Sequence, residues 1–172
     1  MGWKEKYAYR KLHKKAAQQN RQPVLPHPDR LQKVVVIWQP SQVNALQYLK
    51  EKFNQPHHQI SSFCVFEENN KPETENYFLT SDDLNWWGLP KHEKTDDFFS
   101  QRFDLLLNVA LQQNLVLDYL TALTHARFKI GWSPNKHNYF DLNINIGEKQ
   151  DALFLAQQQI FYLRQLNKKT TA

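Results

Sequence analysis

Lys33-Val34-Val35-Val36-Ile37-Trp38 is a β-branched run with no polar alternation, and it constrains the fold more than any other feature of the chain. A strand with one face in water alternates apolar and polar side chains, so an unbroken apolar run needs cover on both faces. Ile60 to Phe66 and Phe103-Asp104-Leu105-Leu106-Leu107-Asn108-Val109 carry the same signature. Shorter strands are expected at Tyr77-Phe78-Leu79 and Arg127 to Trp132, and the alternation from Tyr139 to Ile146 predicts one more. Helical spacing separates them. Ser41 is placed to cap a helix carrying Val43, Leu46, Leu49 and Phe53, and Thr95 to cap a short one through Phe98 and Phe99. Asn114 opens a helix with Leu117, Leu120 and Leu123 on one side, and the last helix, from Glu148 to Leu166, turns Leu153, Ala156, Ile160 and Leu163 inward. Strand and helix alternate, which predicts an α/β fold: three-layer, Rossmann-like, with a mainly parallel sheet. The stretch from Glu67 to Glu75 reads as a polar loop, and Thr74 to Lys94 breaks the alternation.

Glycine narrows the chemistry. Gly2, Gly88, Gly131 and Gly147 stand far apart, so neither a G-x-G-x-x-G turn nor a P-loop can be written in this chain. No apolar run approaches the roughly 18 residues of a membrane span, and Met1-Gly2-Trp3-Lys4-Glu5-Lys6 lacks the apolar core of a signal peptide, so a cytoplasmic protein is expected. Cys64, the one cysteine, lies in an apolar strand, where a buried inert thiol is the natural state. The seven histidines show no i, i+4 pair, and the neighbours His57 and His58 are expected to point apart. No metal, cofactor or catalytic residue is assigned.

The charge is segregated. Of a net +5 for 172 residues, the segment Met1 to Arg21 holds seven basic residues against Glu5, leaving the remainder slightly acidic. Pro23, Pro26 and Pro28 follow it. This predicts a basic N-terminal helix over 1–22, a proline-containing linker over 23–32 and a single α/β domain over 33–172. On the helix, Trp3, Tyr7, Arg10 and Lys14 share one face, while Ala8, Leu12 and Ala16, with Tyr9 beside them, form a small apolar one. Trp3, Lys4, Lys6, Tyr7, Arg10, Lys11, Lys14 and Lys15 together mix rings and cations. Such a surface suits RNA or a ribonucleoprotein, an acidic protein, or, less well, a peripheral membrane contact; a solvated basic helix whose aromatics merely cover core would read the same way.

The segment Phe103 to Trp132, with Ala122-Leu123-Thr124-His125-Ala126-Arg127-Phe128-Lys129-Ile130-Gly131 at its end, resembles an uncharacterised family of small α/β proteins from Bacteroidota, a domain of unknown function. Asp82-Asp83-Leu84-Asn85-Trp86-Trp87-Gly88 is a second stretch of likeness. The same strand, helix and "Ala-Arg-x-x-x-Gly" arrangement is similar to the N-terminal, acceptor-side half of heptosyltransferase-type glycosyltransferases. That likeness implies an acceptor-type scaffold without a donor site. Those enzymes have a Gly-Asp loop after the first strand, where this chain has Gln39-Pro40-Ser41-Gln42.

In an open α/β sheet ligands sit beyond the carboxyl ends of the strands. The residues expected there, Gln39, Ser41, Asn108, Ser133 and Asn145, are read as a candidate ligand pocket of amides and hydroxyls without a general base. Trp86 and Trp87 cannot both face one core, so a partner platform competes with one buried and one edge-lying indole. Leu12 is expected to pack on these indoles. The reading is therefore a non-enzymatic cytoplasmic protein that presents a basic helix to an anionic partner; the alternative is a small-ligand-binding or degenerate glycosyltransferase-like domain.

Overall fold

A computed structural model describes residues 1–68 and 77–170. Strands β1 (Lys33–Trp38), β2 (Gln59–Val65), β3 (Tyr77–Leu79), β4 (Arg102–Asn108), β5 (His125–Gly131) and β6 (Leu142–Asn143) form one sheet in the order β3-β2-β1-β4-β5-β6. Every pairing is parallel. The order reverses between β1 and β4, as in doubly wound Rossmann-like sheets. The helices are α1 (Trp3–Gln18), α2 (Val43–Lys52), α3 (His92–Ser100), α4 (Leu115–Leu123) and α5 (Ala152–Thr170). Among the described residues no helix is long and apolar enough to cross a membrane.

The β1 run is explained by what lies on its two sides. Val34, Val36 and Trp38 enter the core shared with α2 and α5, while Val35 and Ile37 enter the one shared with α3 and α4. All five are fully buried. Cys64 is buried beside them on β2.

α4 is apolar almost all round, the mark of a helix covered on two sides. Val116, Leu117 and Leu120 face the sheet, while Leu115, Tyr119, Ala122 and Leu123 face away from it and are covered by Ala8 and Leu12 of α1. Leu12 therefore packs on α4 instead of on the indoles: its stripe meets the second apolar stripe of α4, which the sequence reading had left uncovered. Asn114 caps α4 by accepting from the Leu117 N–H. At the other end the buried Lys129 ammonium donates to the carbonyls of Thr121 and Ala122 at 2.6 and 2.9 Å, satisfying acceptors the helix leaves open.

Residues 21–32 lie against the sheet edge. The Val24 N–H donates to the Arg127 carbonyl, Leu31 is buried, and Arg21 makes a two-pronged pair with Asp141 at 2.5 and 2.7 Å.

Several local expectations are corrected. Pro40 starts a 3-10 turn (Pro40–Gln42) closed by reciprocal Gln39 and Gln42 side chains, so Ser41 does not cap α2; its hydroxyl meets Glu67. Thr95 lies inside α3, its hydroxyl directed back to the Lys91 carbonyl, because the helix starts at His92. The strand expected over 139–146 shrinks to β6, since Asp141 is drawn to Arg21 and to the Lys129 N–H while Asn143 brackets Ser133. α5 starts at Ala152, after Gly147 turns the chain at φ +61° and the Asp151 carboxylate takes the Phe154 N–H. His57 and His58 do not diverge: their rings lie 4.1 Å apart, and burial, with His57 adjacent, lowers the His58 pKa. The loop expected over 67–75 falls, from residue 69 onward, outside the described residues.

Removing the Leu12 side chain opens a cavity between α1 and α4. Leu12→Ala is expected to lower stability by about 2–5 kcal/mol in urea denaturation. It should also speed hydrogen exchange across residues 3–17 far more than in β1 or β4. Uniform acceleration across the chain would contradict an independently docked α1.

Candidate functional site

Because Ala8 and Leu12 face α4, the helical repeat fixes what faces outward. Lys6, Tyr7, Arg10, Lys11, Lys14 and Lys15 are exposed, Lys4 is half-buried, and Trp3 is 70% exposed. Two hydrogen bonds fix the helix against rotation. The Tyr9 hydroxyl donates to the Asp118 carboxylate at 2.8 Å, and the Tyr139 hydroxyl lies 2.8 Å from His13 Nδ1. Asp118 is the one α4 residue that is half-buried where all the others are buried. Burial lifts its carboxyl to about 6 against the opposing pull of the Tyr9 hydroxyl, and burial beside Asp118 raises both tyrosines. The two pairs line a cleft of about 540 Å³ that Lys6, Arg10 and Lys136 also reach.

Trp86 and Trp87 extend this face. The Asn85 side chain accepts from the Trp87 and Leu89 N–H groups, and Gly88, at φ +76°, lets the turn close by donating to the Asn85 carbonyl. Trp86 stays 74% exposed, with the Lys4 ammonium 3.5 Å from its ring centre. Trp87 is half-buried against Tyr7 at 4.7 Å and edge-on to Trp3 at 6.2 Å. The Lys11 ammonium lies 4.8 Å over the Tyr7 ring. Cations and rings thus alternate in one continuous surface, each ring held by a neighbouring charge.

The five residues expected at the carboxyl ends of the strands are not gathered into one cavity. Gln39 donates to the Phe66 carbonyl, and Ser41 binds Glu67. Asn108 is fully buried, its side chain engaged by Thr121, Gln113 and the Ala110 N–H. Ser133 is buried between Asn143 and Asn135, and Asn145 is exposed in the turn before α5, accepting from Gly147. Each serves a local turn or a helix–sheet contact. Gly131, the glycine of the "Ala-Arg-x-x-x-Gly" arrangement, is required by the Phe140 ring, which occupies the space a Cβ would need. Among the described residues no three His, Cys, Asp or Glu side chains gather as a metal site would require.

The Asp118 cluster escaped the sequence reading. Its one signal was a lone acid in the middle of an apolar helix, Leu115 to Leu123.

The chain belongs to a family of unknown function (DUF6913), whose model matches residues 4–166. No curated protein matches it. Among solved structures, E. coli heptosyltransferase WaaC with ADP is similar at a TM-score of 0.42 and 12% identity, over 73% of this chain and 45% of that one. The chain thus spans less than half the length of that enzyme, and no functional statement follows from the likeness.

Asp118 gives a signed pH effect. Its folded pKa of about 6 lies above the ordinary carboxylate value, so its contribution to stability is present at low pH and is lost as pH rises through 6. Asp118→Asn keeps an acceptor for Tyr9 and removes the charge, while Lys6, Arg10, His13 and Tyr139 around it are common to both proteins. The variant should exceed the parent in stability at pH 8 by on the order of 2 kcal/mol, and the gap should close near the unfolded carboxylate value, about pH 4. Urea midpoints at the two pH values measure it; a gap independent of pH contradicts it.

Proposed function

We propose that this member of a family without an assigned function is a non-enzymatic cytoplasmic binding protein whose docked basic helix meets an anionic partner, RNA or a ribonucleoprotein. One observation carries the reading: α1 is held by its apolar stripe in a rotation that turns Trp3, Lys6, Tyr7, Arg10, Lys11, Lys14 and Lys15 outward together. A basic helix that only needed solvation would have no reason to bring Trp3, Tyr7, Trp86 and Trp87 to the same surface as Lys4 and Lys11. Phosphate neutralisation supplies affinity without sequence preference, and exposed rings stack on unpaired bases. Trp3, Lys4, Lys6, Tyr7, Arg10, Lys11, Lys14 and Lys15 are assigned to phosphates and bases, with Trp86 and Trp87 as the adjoining platform. Glu5 is the one acid of α1.

The alternative, a small ligand at Gln39, Ser41, Asn108, Ser133 and Asn145, has less support. Asn108 and Ser133 are buried and occupied by neighbours, so a ligand there would have to displace existing hydrogen bonds.

Single-stranded RNA binding to the full chain, measured across a salt series, tests the proposal. Each phosphate contact on a single strand contributes about 0.7 to the slope of log affinity against log salt. Replacing Lys11, Lys14 and Lys15 together with Gln should flatten that slope by about 2 and weaken binding at low salt. An unchanged slope and affinity in this variant would overturn the reading.

A further inference from the structure

A second basic surface lies at the amino-terminal edge of the sheet. Lys33 opens β1, Arg102 opens β4 and His125 opens β5, and Arg102 pairs directly with His125 in the β4–β5 register. Two residues further on, and so on the same face of each strand, stand Asp104 and Arg127. With Arg21, Gln19, Gln22 and Gln32 from the segment between α1 and β1, they line a cavity of about 600 Å³. That volume lies within the range of small-molecule sites, roughly 300–1,000 Å³.

The charge in this cavity is unbalanced. Its one carboxylate, Asp104, accepts the N–H groups of Gln32 and Lys33 at 2.9 and 3.0 Å and lies 3.9 Å from Arg127. Arg21 is consumed by Asp141. Lys33 and Arg102 are exposed, and neither is in an ion pair among the described residues. The strands they open are stabilised by the apolar residues that follow. A lone carboxylate ligand would leave this excess partly unmatched, whereas a phosphate, with up to two negative charges and three terminal oxygens, suits an arginine fork beside a lysine. The neighbouring glutamine amides supply neutral polar groups for the rest of a ligand. The site is concave and of small-molecule size, and so favours a compact ligand over a polymer.

We propose that this cavity at the amino edge of β1, β4 and β5 binds the phosphate of a small phosphorylated molecule, with Arg102 and Lys33 as its principal ligands and Arg127 as a third, oriented by Asp104. None of the α1 cations lines the site, which does not depend on RNA binding there.

Inorganic pyrophosphate is the probe, titrated into the full chain by calorimetry and followed by amide chemical shifts. Saturable binding is expected, with shifts concentrated at residues 19–22, 32–33, 102–104 and 125–127. Arg102→Gln and Lys33→Gln, both at exposed positions, should each weaken it about tenfold, whereas the triple Lys11, Lys14 and Lys15 replacement should leave it unchanged. Glutarate should bind at least about tenfold more weakly than pyrophosphate. Several results would overturn the proposal: no saturable binding at millimolar pyrophosphate, affinity untouched by either variant, glutarate binding as tightly, or loss of binding in the α1 variant. A short RNA that displaces pyrophosphate equally well from the parent and from the α1 variant would place a nucleic-acid phosphate there instead, and would also overturn it.

Discussion

The structure depends on the double-sided burial of α4. This nine-residue helix is too short to be stable by itself, and its two apolar stripes oblige the chain to cover it twice. The sheet covers one stripe through Leu106, Val35 and their neighbours, and α1 covers the other through Ala8 and Leu12. Burying a leucine side chain yields about 1.5–3 kcal/mol, a large part of what a marginally stable domain has to spare. The charged N-terminal segment is thereby anchored. Lys129, a cation buried in the sheet, is tolerated because the open carbonyls of the same helix need donors; burial, with the Arg21 guanidinium nearby, brings its pKa down to about 7.

The sheet has the strand order of dinucleotide-binding domains, yet the carboxyl edge where such domains hold ligands is occupied by the protein's own amides. Gln39 with Gln42, Asn108 with Gln113 and Ser133 with Asn143 each close a turn there. Without a glycine-rich turn, backbone N–H groups are not presented to a pyrophosphate. Positive charge gathers instead on α1 and at the amino edge of the strands. One fold thus carries two basic surfaces, one on a helix and rich in aromatic rings, the other a cavity at the strand starts.

Much of this was legible in the residues. The β1 run demanded cover on both faces, and the alternation of strand and helix then left few arrangements other than a parallel sheet. The two faces of α1 followed from its spacing. Misreadings came where side chains replaced backbone as hydrogen-bond partners. Asp141 and Asn143 alternate properly with apolar neighbours, but their carboxylate and amide bind Arg21, Lys129 and Ser133, and β6 stops after two residues. Ser41 is a good capping residue in isolation, but Pro40 shifts the turn and gives that place to a glutamine pair. The partner of Leu12 was misplaced for a different reason. A pattern read for one inward face groups Leu117, Leu120 and Leu123, whereas Leu123 joins Leu115, Tyr119 and Ala122 on the second stripe. The clamps Tyr9–Asp118 and His13–Tyr139 join residues more than a hundred positions apart, a separation no local pattern encodes.

The central claim is that α1 is seated on α4 in one rotation, with its cations and rings turned away. Methyl and aromatic nuclear Overhauser contacts of Leu12 in the full chain test this most directly. The account predicts cross-peaks from the Leu12 methyls to Leu115, to the Tyr119 ring and to Leu123, together with contacts between the Tyr7 and Trp87 rings. Leu12 cross-peaks to the Trp86 or Trp87 indoles, or no long-range contacts from α1 at all, would contradict it.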